Sequence, residues 1–108
     1  MKADQLRAFA MSLPEVTEQP HFDFTSFRVH GKIFVTMPPD QRHAHIFIAE
    51  NARDLAIVLH PQCVEKLHWG AHVVGVRVRL ARAPAGMMKT MLRDAWRYKA
   101  PRRLLISA

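Results

Sequence analysis

The sequence predicts an α+β fold in two layers, and three observations carry that prediction. Apolar residues recur at helical spacing near both ends of the chain. The segments between them alternate with a period of two and are divided by tight turns. The chain has 108 residues, 49% hydrophobic and 23% charged, enough for one compact domain on a single core. No repeat, linker or low-complexity segment divides it, so residues 1–108 read as one domain.

At the start, Leu6, Phe9, Ala10 and Leu13 fall at the i, i+3, i+4, i+7 spacing of one helical face, with Asp4 placed to cap it. Pro14 ends this helix, because the residue before a proline is pushed out of the α region. The polar stretch PEVTEQPHFD reads as a loop. Two strand-like runs follow, FTSFRVH and KIFVTM, joined at His30-Gly31, where glycine supplies the positive φ of a tight hairpin. In the first run Thr25, Phe27 and Val29 share one face, and Ser26, Arg28 and His30 the other. PPDQR breaks the chain, and HAHIFIA reads as a third strand that completes an antiparallel meander.

Glu50 or Asn51 opens a second helix, ARDLAIVLH, which Pro61 closes. The less regular PQCVEKLHWGA, which has room for one short strand, leads into HVVGVRVRL. There Val74, Val76, Val78 and Leu80 share one face, and Val73, Gly75, Arg77 and Arg79 the other. Pro84 sits in the first turn of a final helix, where its missing N–H costs nothing. Met88, Met91, Leu92, Ala95 and Trp96 form the buried stripe of that helix. Lys89, Arg93 and Arg97 recur every four residues as a separate cationic stripe. Ala100-Pro101 stops it, and RRLLISA is a short tail whose leucines fold back on the core. The predicted order is α-β-β-β-α-(β)-β-α.

The net charge of +7 is uneven. Residues 1–54 hold six Lys/Arg against seven Asp/Glu, whereas residues 55–108 hold ten Lys/Arg against Glu65 and Asp94. So concentrated an excess attracts anions, nucleic acid among them. Cys63 is the only cysteine, which forbids an intrachain disulfide and points to a reducing compartment. No run suits a signal peptide or the roughly 20 apolar residues that span a bilayer. A cytoplasmic protein with no membrane partner is expected.

The candidate interface is the cationic surface: Arg77 and Arg79 on a strand, Lys89, Arg93 and Arg97 on a helix, and Lys99, Arg102 and Arg103 beyond it. Arginine forks suit phosphate oxygens in pairs, and such contacts hold a polyanion without reading its sequence. Arg28 and Lys32, around the first hairpin, and Trp69, beside Gly70, are weaker candidates, the last as a stacking platform. Trp96 belongs to the core stripe. The competing reading is a solvated charged face. Among seven histidines, His43 and His45 share a strand face and His68 and His72 flank Trp69-Gly70. No recognised zinc spacing accompanies them, so neither metal nor cofactor is expected. Cys63, near His60 and His68, reads as a small buried hydrophobe and not a nucleophile.

The segments LPEVTEQPHFDFTSFRVHGKIFV, HWGAHVVGVRVRL and LRDAWRYKAPRRL together resemble the MmcQ/YjbR family of small bacterial proteins. The resemblance spans essentially the whole chain. It implies a CyaY-like (frataxin-like) sandwich, with helices on one face of an antiparallel sheet. Members are described as DNA-binding proteins with a double-wing arrangement, so the resemblance implies a DNA partner and carries over no catalytic residue. Frataxin-type iron handling needs a carboxylate-rich first helix, and here that helix offers only Asp4. The expectation is non-enzymatic capture of DNA or another polyanion. The alternatives are a protein-interaction or small-anion-binding module whose ligand sits on the exposed sheet face and, third, an enzyme.

Overall fold

The computed structural model describes residues 1–107. The chain runs α1 (Ala3–Ser12), β1 (Val16–His21), β2 (Phe24–Val29), β3 (Lys32–Met37), β4 (His43–Ile46), α2 (Glu50–Leu59), β5 (Val64–Trp69) and β6 (His72–Arg79). A single 3-10 turn (Leu80–Arg82) then leads to α3 (Ala85–Lys99) and α4 (Arg102–Ser107). The six strands form one antiparallel sheet in the order β1-β2-β3-β4-β6-β5. The α+β class and the meander therefore stand, and several local expectations change.

PEVTEQPHFD is not a loop: most of it is β1, and PQCVEKLHWGA contains the full six-residue β5. Both are edge strands, each paired on one side only. An edge strand is held by its backbone ladder, so VTEQPH and VEKLHW need no alternating apolar face, and Pro20 is tolerated there. The tail is the short helix α4, with Leu104 in the core and Leu105 exposed. At α1 the N-cap is Lys2, not Asp4; its N–H donates to Gln5 Oε1 (2.9 Å), and Asp4 lies in the first turn.

One core holds the layers together. Leu6 and Ala10 of α1, Met88, Leu92 and Ala95 of α3, and Leu104 of α4 share it with Phe27, Val35, Ile46, Val76 and Val78 of the sheet. The helices thus cover a single sheet face. A register shift between Phe27 and Arg28 breaks the alternation of β2–β3, and Phe34 and Val35 are both fully buried. On the opposite, helix-free face the register aligns Ser26, Thr36, His45, Arg77 and Glu65 across five strands. Among the described residues, no helix is long and apolar enough to cross a membrane.

Candidate nucleic-acid interface

The register decides which cations meet. β4 runs parallel to β2, and β5 runs parallel to both, because each is separated from the next by one antiparallel strand. The β2–β3 and β5–β6 turns therefore lie at the same end of the sheet. Lys32 stands three residues beyond Val35, and His72 four beyond Val76, from the row in which Val35, Ile46 and Val76 are aligned. β4 stops at that row, so two hairpin tips project on either side of it. Three strand spacings separate them, about 14 Å.

Each tip is built by its turn chemistry. His30 (φ 51°) and Gly31 (φ 76°) both occupy the left-handed region, as a two-residue turn of mirrored type requires. Gly70 (φ 61°) does so between Trp69 and His72. Lys32 is exposed at the first tip, and Trp69 stands 77% exposed at the second.

The C-terminal end of α3 reaches this same end of the molecule. Trp96 Nε1 donates to the Pro14 carbonyl (3.0 Å), tying the last turns of α3 to the residues that precede β1. Arg97, Lys99 and Arg102 follow within six residues. Among the described residues, no carboxylate lies within ion-pair distance of these three or of Lys32. Arg97 and Lys99 also complement the negative end of the α3 dipole, a stabilising contribution of about 0.3–1 kcal/mol that leaves their charge free to attract anions.

The other cations go elsewhere. Arg103 reaches the same end but binds Glu15 with both terminal nitrogens (2.9 and 3.0 Å) and also contacts His30 Nε2. Arg77 and Arg79 lie on the helix-free face, opposite His45 and His43, and Arg77 is paired with Glu65 at 3.1 Å. Arg28 is on that face too, donating to Ser26 Oγ and the Pro20 carbonyl. Lys89 and Arg93 sit on the outer side of the helix layer, both over the Phe9 ring of α1 at 5.8 and 5.1 Å. The single cationic field expected from the sequence is thus divided. The sheet and its helices separate the strand arginines from the helical stripe, and of the candidate cations, among the described residues, Lys32, Arg97, Lys99, Arg102 and Arg103 gather at the two-tipped end.

A family model described as YjbR matches residues 11–98. The chain belongs to the YjbR family. The crystal structure of protein DR2400 from Deinococcus radiodurans, which carries the DUF419 domain, is similar to it with a TM-score of 0.76. At 19% identity, over 88% of this chain and 75% of that one, the likeness bears on the fold. No curated protein gives a significant match.

In this YjbR chain the remaining sequence candidates are also placed. Trp96 is buried in the core stripe, whereas Trp69 stands free of the sheet edge. Cys63 is buried, and that burial pushes its thiol pKa up, the reverse of what a nucleophilic thiolate requires. His43 and His45 share the helix-free face as their spacing predicts, and His43 Nδ1 lies 3.2 Å from Asp40. Among the described residues, no three His, Cys, Asp or Glu side chains converge on a metal-sized site.

Sequence reasoning missed Glu15 as the anchor of the interface. The Arg103 guanidinium, with His30 beside it, holds the Glu15 carboxyl at about 2. A depressed acid stabilises the fold above its ordinary value near 4.5, and loses that contribution as pH falls toward 2. Acidification through that window is expected to loosen α4 from the first hairpin, read as faster amide exchange in residues 102–106. Glu15→Gln should show the loosened α4 at neutral pH and no further change across the window. All three partners are exposed, so the effect stays local.

Proposed function

We propose that this YjbR protein binds nucleic acid without catalysis, seating phosphates at the two-tipped end through Lys32, Arg97, Lys99 and Arg102. One observation carries the reading: cations without carboxylate partners from β3, α3 and α4 share one end of the molecule with two exposed hairpin tips. The span of about 14 Å between tips is comparable to the roughly 12 Å width of a duplex major groove. Arg102 and Arg97 offer planar forks to phosphate oxygens, and Lys32 and Lys99 offer point charges. Such contacts position the protein and carry no base readout. Trp69, at the second tip, supplies a ring on which an unpaired base can stack. Arg77 and Arg79 are outside this interface, because they project from the other side of the molecule.

Salt dependence tests the reading. Four phosphate contacts predict that the logarithm of duplex affinity falls against log salt with a slope of roughly −3.6. Changing Arg97 and Arg102 together to Ala should reduce that slope to roughly −1.8, and Arg77→Gln with Arg79→Gln should leave it unchanged. Anisotropy with a labelled duplex and its single strand reads both values. Absence of binding in dilute buffer, or a slope indifferent to Arg97 and Arg102, removes the proposal. A loss with Trp69→Ala confined to the single strand would assign the unpaired form as the ligand.

A further inference from the structure

The helix-free face holds an arrangement that the two-tipped end does not use. Pairing of β4 with β6 sets His45 directly opposite Arg77 and His43 directly opposite Arg79. The Cα positions of two arginines and two histidines thus form a rectangle about 5 by 7 Å, from the cross-strand spacing and the two-residue repeat along each strand, with all four side chains on the helix-free face. Its floor is polar. Thr36, opposite His45 on β3, and Ser26 beyond it on β2 are buried, although no helix covers this face.

His45 is the anomaly in that rectangle. Its Nε2 is buried and has no hydrogen-bond partner among the described residues. The Phe24 ring stands beside it, with centroids 5.7 Å apart. Leaving a buried polar atom unpaired is costly, and native proteins keep few such atoms. Two carboxylates border the site, Glu65 on Arg77 and Asp40 on His43. They offset the charges of Arg77 and Arg79, while Arg28, beside Ser26 on β2, adds a further cation to the same face. Protonation of His45 adds a further positive charge to it.

We propose that this face is a second binding site, for a small oxyanion such as a phosphate monoester or carboxylate held by Arg77, Arg79 and His45. Its partners differ from those of the two-tipped end, so the two readings stand or fall separately. Burial, then Arg77 and His43, hold the His45 pKa down, with Asp40 acting weakly in the other direction. His45 is therefore neutral near pH 7 in the free protein. An anion beside it favours the imidazolium, so binding takes up a proton. Affinity must then rise as pH falls below neutrality.

The test follows the ring protons of His43 and His45 by NMR while the intact protein is titrated with inorganic sulfate, the stand-in for a phosphate-monoester dianion, and in parallel with acetate. Saturable shifts with sulfate assign a phosphate-type ligand, and saturation with acetate alone assigns a carboxylate. The affinity should be higher at about pH 6 than at about pH 7.5. Arg79→Gln, at an exposed position, should weaken binding about tenfold or more, as loss of a charged hydrogen bond does. Glu65→Gln should tighten it up to about fivefold by releasing Arg77 from a surface pair. Neither change should alter duplex binding. Shifts that never saturate with either anion, or an affinity indifferent to Arg79→Gln, would overturn the proposal.

Discussion

Trp96→Ala is expected to cost about 3–5 kcal/mol of stability and to lower the melting temperature by about 15 °C or more. Trp96 is 3% exposed and packs in the core stripe of α3, so truncation leaves a large cavity in the core. It also removes the indole donor from the Pro14 carbonyl, the bond that fixes the end of α3 against the start of the sheet. Trp96→Phe separates the two contributions. Most of the apolar contact survives and the carbonyl loses its partner, at a cost of about 1 kcal/mol. Thermal unfolding followed by circular dichroism ranks the three proteins. The functional consequence is separate from the stability loss. Arg97 and Lys99 take their position from this anchor, so Trp96→Phe should weaken duplex binding while the protein remains folded at the assay temperature. Unchanged binding in a folded Trp96→Phe protein would mean that the end of α3 is placed by something other than Pro14.

Gly75→Ala is expected to destabilise by about 1–3 kcal/mol, the range of an overpacked core position. A Cβ on Gly75 would lie 2.2 Å from the Ile46 carbonyl oxygen and 3.2 Å from the Phe47 Cα. Both neighbours are backbone, so no side-chain rotation relieves the contact. β4 and β6 must part, and with them the junction that joins the meander to the β5–β6 hairpin. The predicted drop in melting temperature is on the order of 4–12 °C. A second readout places the effect: slowed amide exchange should be lost first in β4 and β6, while the β1–β2 ladder stays protected. The glycine at the first tip behaves differently. A Cβ on Gly31 meets nothing within 4 Å, so only its positive φ resists substitution.

Much of the architecture is legible in the sequence because burial on one side leaves a period. The α3 stripe of Met88, Met91, Leu92, Ala95 and Trp96 is buried as its spacing predicts, and Val76 and Val78 of β6 face the core, whereas Val74, at the register shift against β5, is only half-buried and lies outside it. The His30-Gly31 turn is read correctly because its backbone demand is local. β1 escapes that logic. Four of its six residues, Thr17 to Pro20, are exposed, so its existence depends on the β2 backbone opposite and not on any pattern of its own. β5 is anticipated in the predicted order but without bounds, for the same reason, with Glu65, Lys66, His68 and Trp69 all exposed on the other edge. Local composition around α4 is equally silent, since six residues hold their helical form through the core contact of Leu104 and the Arg103–Glu15 pair.

The sequence by itself determined the helical and strand periods, the family resemblance, the turn at the first hairpin and the surplus of positive charge in residues 55–108. The periods and the turn are properties of neighbours within a few positions along the chain, where steric and solvent preferences act directly. The resemblance and the charge surplus are read from the order and number of residues, without any distance between them. Tertiary structure alone decided how that surplus is shared. Pairing β4 with β6 put Arg77 and Arg79 beside two histidines on the helix-free face, and packing α3 against β3 carried Arg97 to the other population of cations. Glu15, from the half of the chain that is not basic, then withdrew Arg103 from that population. Charge is counted along a sequence, but its field depends on distances that only the fold sets.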